Sequence, residues 1–158
     1  MPEAALGEIE ALTRELGVEG QRTWRRKNPE EFQIRVAKRQ LQAETALRSG
    51  LVFLDRGLVE GIAYCRAQRA AVPEELIELC RKADYQLVLL LELILPFDQR
   101  SSTGRSSDEA KARRLEEALE VAYAELDFPP IRVPAVPLEE RADLILSIVN
   151  RHLGPLPI

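Results

Sequence analysis

The chain has 158 residues, 46% hydrophobic and 30% charged, close to ordinary globular usage, which argues against wholesale disorder. Its 22 Lys+Arg against 26 Asp+Glu leave a net charge of −4, the wrong sign for a general nucleic-acid or membrane-surface binder. The longest apolar run, Leu87 to Leu91, is interrupted at Glu92, far short of the roughly 20 residues a membrane span needs.

The length predicts one domain over 1–153, followed by a Pro-rich flexible tail over 154–158. The segment from Glu3 to Leu16 carries Leu6, Ile9, Leu12 and Leu16 at helical spacing, with Gly17 and Gly20 as its stop. Gln21 to Asn28 reads as a polar linker holding the one tryptophan, Trp24. Asn28-Pro29-Glu30-Glu31 reads as an N-cap, Pro at the first helical position and acid in the first turn. That helix runs through Phe32, Val36, Ala37, Leu41 and Leu47 to Gly50. Leu51-Val52-Phe53-Leu54 is an unbroken apolar run, the pattern of a strand buried on both faces. Two helices follow, about Leu58 to Arg69 and Pro73 to Arg81, then a second buried strand over Gln86 to Glu92. Ile131 to Val133 is a short third strand between helices at Ser107 to Leu126 and Leu138 to Leu153. Alternating helices and apolar strands predict an α/β fold with a parallel sheet. Three short parallel strands make a poor sheet, so the sheet looks incomplete.

Ligands of parallel α/β sheets bind beyond the carboxyl ends of the strands. That rule singles out Asp55 and Arg56, the segment Glu92 to Arg100, and Pro134. Asp55 stands where an acid can orient Mg²⁺ or deprotonate a hydroxyl, and Arg56 where a guanidinium can hold a phosphate. The alternative is that Asp55 caps the next helix and Arg56 is solvated. Arg100 precedes and Arg105 lies within the Ser/Gly-rich stretch Ser101 to Ser107, a loop able to close over phosphoryl groups or simply a solvated surface segment. Trp24 and Phe32 read as core anchors before base-stacking platforms. Cys65, Cys80 and His152 form no metal-ligand cluster. The cysteines read as reduced, partly buried thiols, and His152 as a structural or surface residue near a helix end. Glu3, Glu8 and Glu10 stand where a secretory signal would carry basic residues, so a cytoplasmic location is expected.

Trp24 to Phe32, Arg39-Gln40, Val52 to Gly57, Ile62-Ala63-Tyr64 and Tyr85 to Glu92, taken in register, resemble the AAA-type P-loop ATPase-domain family allied to ribosylnicotinamide kinase. The likeness continues through Pro96-Phe97, Arg105, Glu109-Ala110, Tyr123 to Leu126, Val133-Pro134 and Glu140-Arg141. The resemblance implies a three-layer P-loop NTPase-like parallel sheet flanked by helices. It implies that Asp55 orients Mg²⁺ or an acceptor hydroxyl and that Arg56 holds acceptor or phosphate. Arg100 and Arg105 would be lid arginines, with Glu3 matching a recurrent acid and Pro134 lying on the cofactor side.

Members of that family open with a buried strand, then G-x-x-x-x-G-K-[ST], then a helix; its glycine-rich backbone and Lys cradle phosphates. None of the eight glycines here lies in that pattern. The expectation is therefore an N-terminally truncated version, with the first strand, phosphate loop and first helix absent, through a misassigned start or a real loss. ATP and Mg²⁺ are the implied cofactors if an upstream extension supplies the loop, with a small-molecule phosphate acceptor as partner. No nucleic acid and no membrane are expected. A truly truncated chain should rearrange its sheet or form a homo-oligomer, and as a remnant it would serve as an interaction module.

Overall fold

The computed structural model describes residues 3–47, 50–94 and 109–155. It divides into two compact units, Met1–Ala83 and Asp84–Ile158.

The first unit is helical: α1 (Ala4–Lys27), α2 (Pro29–Thr45), α3 (Glu60–Ala67) and α4 (Glu74–Cys80). The expected stop at Gly17 is a break inside α1, where φ 73° and ψ 172° leave helical space. That backbone region is open to glycine alone. The chain then resumes its helix, so Gln21 to Lys27 is helical and not a linker. Arg25, Arg26 and Lys27 close its last turn, where cations complement the helix dipole. Pro29 opens α2 with Glu30 and Glu31 behind it, as expected. Asn28 does not cap with its side chain; its Nδ2 donates backward to the Trp24 carbonyl at 2.8 Å.

α2 packs on α1, α3 and α4. The core of this unit gathers Leu12, Ala37, Leu58, Val59, Ala63 and Leu76, all at most 2% exposed. A Cβ on Gly61 would lie 3.1 Å from Leu76 Cδ1, so α3 meets α4 at a distance that a larger residue would widen. Cys65 and Cys80 are free and fully buried, and the Cys80 thiol donates to the Leu58 carbonyl at 3.2 Å. Burial pushes their thiols up to about 11 and about 12, which keeps both protonated and unreactive.

The expected buried strand at Leu51–Leu54 does not form. These residues carry no regular structure, and Leu51, Val52 and Phe53 are 42%, 42% and 53% exposed. A strand needs a neighbour to take its N–H and C=O groups, and none pairs with this segment among the described residues.

The second unit holds β1 (Leu89–Leu91), α5 (Glu109–Glu125), β2 (Ile131–Val133) and α6 (Leu138–Leu153). β1 and β2 form a two-stranded parallel sheet with Leu89, Leu90 and Leu91 opposite Ile131, Arg132 and Val133. The second strand is thus shorter than the Gln86 to Glu92 span, and its residues run from half-buried through buried Leu90 to exposed Leu91. α5 lies against β1 and α6 against β2. Val133, Ala122 and Val149 are at most 2% exposed, and Tyr85 sits 6.4 Å from Tyr123 and 5.4 Å from Phe128, ring centre to ring centre. Pro137 and Gly154 bound α6, and the expected range of this helix is the observed one. No helix among the described residues is long and apolar enough to cross a membrane.

Candidate functional site

The loop joining α2 to α3 turns at Arg56, whose φ of 82° is left-handed. A non-glycine residue there is strained, and such strain persists only where surrounding contacts fix it. Here they do. Gln40 of α2 donates from Nε2 to the Arg56 carbonyl at 3.3 Å and to Glu44 Oε1 at 2.6 Å. The Arg56 guanidinium meets Glu3 Oε1 through Nη1 at 2.9 Å and Glu60 Oε2 through Nε at 3.9 Å. It also lies 5.5 Å from the Tyr64 ring centre, within cation–π range.

One guanidinium therefore faces three acids: Glu3 ahead of α1, Asp55 beside it in the chain, and Glu60 in α3. Burial pushes the Glu60 carboxyl up to about 7, against the pull of Arg56 and of the Gly57 N–H, which favour the charged form. Burial works against the Arg56 charge, but Tyr64, Glu3, Glu60 and Asp55 outweigh it and hold its pKa above the ordinary value.

Of the residues the sequence singled out, Glu3 and Arg56 meet, with Asp55 adjacent. Asp55 is exposed and does not cap α3, which has no side-chain cap. Pro134 lies in the second unit, exposed, with its carbonyl accepting from Arg141 Nε at 2.9 Å. Arg141 is itself buried and donates from Nη2 to the carbonyls of Glu92 at 2.7 Å and Val133 at 3.4 Å. It ties together the chain just past the carboxyl ends of both strands. Arg100 and Arg105, with the Ser101 to Ser107 stretch, lie outside the described residues.

Sequence reasoning passed over Glu60, Tyr64 and Gln40 as site residues. The signal for Glu60 was present: an acid four residues after Arg56, the spacing of helical ion pairs. Trp24 and Phe32 each carry an arginine on a ring face, Arg35 at 4.7 Å and Arg25 at 5.3 Å. Phe32 is buried and Trp24 half-buried, in keeping with core anchors. His152 is exposed, with Nδ1 2.9 Å from the Ile148 carbonyl. No group of three or more His, Cys, Asp or Glu among the described residues can hold a metal ion.

The arrangement offers a cation fixed in place for an anionic group, with one exposed carboxylate beside it. A family model described as an AAA domain matches residues 3–141. No curated protein and no solved structure matches the chain.

Proposed function

The chain belongs to the AAA-domain family of P-loop NTPases, and on that premise we propose that it is most of an ATP-binding domain of the small-molecule kinase or ATPase type. The observation that carries this reading is the meeting of Glu3 and Arg56, 2.9 Å apart, at the loop that also presents Asp55. Phosphoryl transfer asks the protein mainly for positioning and for fixed positive charge, since the transition state spreads its charge over oxygens. In this reading Arg56 holds an oxyanion of acceptor or phosphate. Asp55 orients an acceptor hydroxyl or supplies one ligand to Mg²⁺, an ion that often takes only one or two carboxylates and fills its shell with phosphate oxygens and water. A single exposed carboxylate fits that mode. Arg100 and Arg105 are the proposed lid cations, and Glu3 and Pro134 serve the nucleotide side. The finer kinship with ribosylnicotinamide kinase, and a small-molecule phosphate acceptor, are part of the same proposal.

The 158 residues contain no phosphate-cradling glycine-rich loop. We therefore expect them to bind MgATP weakly, at Kd of about 1 mM or above, given that the backbone cradle and its Lys supply most of the grip. The test is calorimetric titration of MgATP into this chain and into one extended upstream by a strand, G-x-x-x-x-G-K-[ST] loop and helix. Tight binding only in the extended chain, with turnover abolished by Asp55→Ala and the fold intact, bears the reading out. Full turnover in Asp55→Ala sinks the site assignment.

A second reading, a non-catalytic interaction or oligomerisation module, is favoured by the exposure of Leu51, Val52 and Phe53. A contiguous apolar surface of this kind commonly marks a contact site. It expects no nucleotide effect in either chain.

A further inference from the structure

We propose that Glu3 stands in for the oxyanion of the ligand: it occupies the Arg56 guanidinium in the free protein and yields it when an anionic ligand binds. The inference rests on the phosphate-site reading above and adds a regulatory contact to it.

Three observations carry it. The guanidinium is a planar fork suited to two parallel hydrogen bonds on one oxyanion. Two carboxylates share it here: Glu3 meets Nη1 at 2.9 Å, and Glu60 approaches Nε only to 3.9 Å, beyond hydrogen-bond reach. A phosphate oxyanion that takes Nε and an Nη together makes the better partner. Second, Arg56 and Glu3 keep 32% and 19% of their side-chain surfaces exposed, so an incoming anion can reach the pair and the pair is weak enough to break. Third, the backbone of Arg56 is anchored separately, through Gln40 on its carbonyl. The side chain can change partners without loss of the loop. Three carboxyl groups surround the one guanidinium, so removal of the Glu3 carboxylate also lessens the repulsion of an arriving anion.

The probe is inorganic pyrophosphate, titrated into the full chain and into Glu3→Gln, Arg56→Gln and the double variant at constant ionic strength. Glu3→Gln is expected to bind about two- to five-fold tighter, the gain that an ion pair of this exposure supports. The gain should vanish in the Arg56→Gln background, as a double-mutant cycle requires of a direct contact. If Arg56→Gln unfolds, Arg56→Lys takes its place, since it keeps the charge and lacks the fork. Equal affinity in wild type and Glu3→Gln overturns the proposal. So does a gain of the same size without Arg56, which would be general repulsion. Binding that needs Arg56 but ignores Glu3 sinks the stand-in and leaves the phosphate site standing. Absence of binding in every variant overturns the stand-in, while the phosphate-site reading is decided separately by the MgATP titration of the extended chain.

Discussion

Glu60 shows how a single carboxyl can set the pH response of its unit. Its pKa rises on folding from 4.5 to about 7, chiefly through burial, because Arg56 stands nearer to Glu3. A carboxyl with a higher pKa folded than unfolded takes up a proton on folding. Its contribution is therefore fully present below about pH 4 and is lost as the pH climbs to 7. Glu60→Gln removes that loss. Urea melts at pH 8 should find the variant more stable than wild type by up to about 3 kcal/mol, the upper bound that such a shift permits, and the two alike at pH 4. A variant no more stable at pH 8 would mean that Glu60 is ionised without penalty. The opposite case lies at Arg132, whose guanidinium is held above its ordinary pKa by its hydrogen bond to Glu120, with Glu116 and Glu92 nearby. That network is exposed, so salt screens it and little stability should depend on it.

Among the elements, the two strands depend on one side chain. Arg141 donates to the carbonyls of Val133, the last residue of β2, and of Glu92 and Pro134, the residues that follow β1 and β2. Arg141→Met would take the charged donor from the Glu92 and Pro134 carbonyls, while the Val133 carbonyl keeps the Glu92 N–H at 2.9 Å, at a cost of about 2–4 kcal/mol. Chemical denaturation of the full chain measures it, and Arg141→Lys should recover less than half, since an ammonium cannot span three carbonyls. A loss below about 0.5 kcal/mol would show that water replaces the guanidinium freely. Nothing in the residues of β1 or β2 announces this tie; the arginine lies in the first turn of a helix, where a cation opposes the dipole. That misplacement was the available clue. Other elements were plain. Pro137 and Gly154 frame α6, and Ile131 to Val133 forms the strand its composition predicts. Leu51–Leu54 misled because an apolar run specifies burial and not pairing, and the partner that would make it a strand is missing from the described sheet. Gln21 to Lys27 misled because two glycines read as a stop, whereas one of them only breaks α1 and the helix resumes. The Asp55–Arg56 turn was legible from its place after the apolar run. The pairing of Glu3 with Arg56 was not legible, because the two partners lie over fifty positions apart in the chain.

On the scale of the whole molecule, the exposed Leu51, Val52 and Phe53 are the widest departure from expectation. If this segment is a contact site, Phe53→Glu should change unfolding stability by less than about 0.5 kcal/mol, as for other exposed positions. It should also abolish any concentration-dependent association seen by sedimentation. Association unchanged in Phe53→Glu would move the interface elsewhere. The parallel ladder has a different consequence, in time. Leu89 opposes Ile131, 131 − 89 = 42 positions along the chain, while each helix of the first unit closes its own backbone hydrogen bonds about four residues apart. Closing a long loop costs entropy before any pairing rewards it, and contacts remote in sequence form slowly. The first half of the chain should therefore acquire its helices early, as it leaves the ribosome. The second half must wait until residue 133 has emerged before its two strands can find each other, and Leu89 to Leu91 stays an unpaired apolar segment for all of that interval.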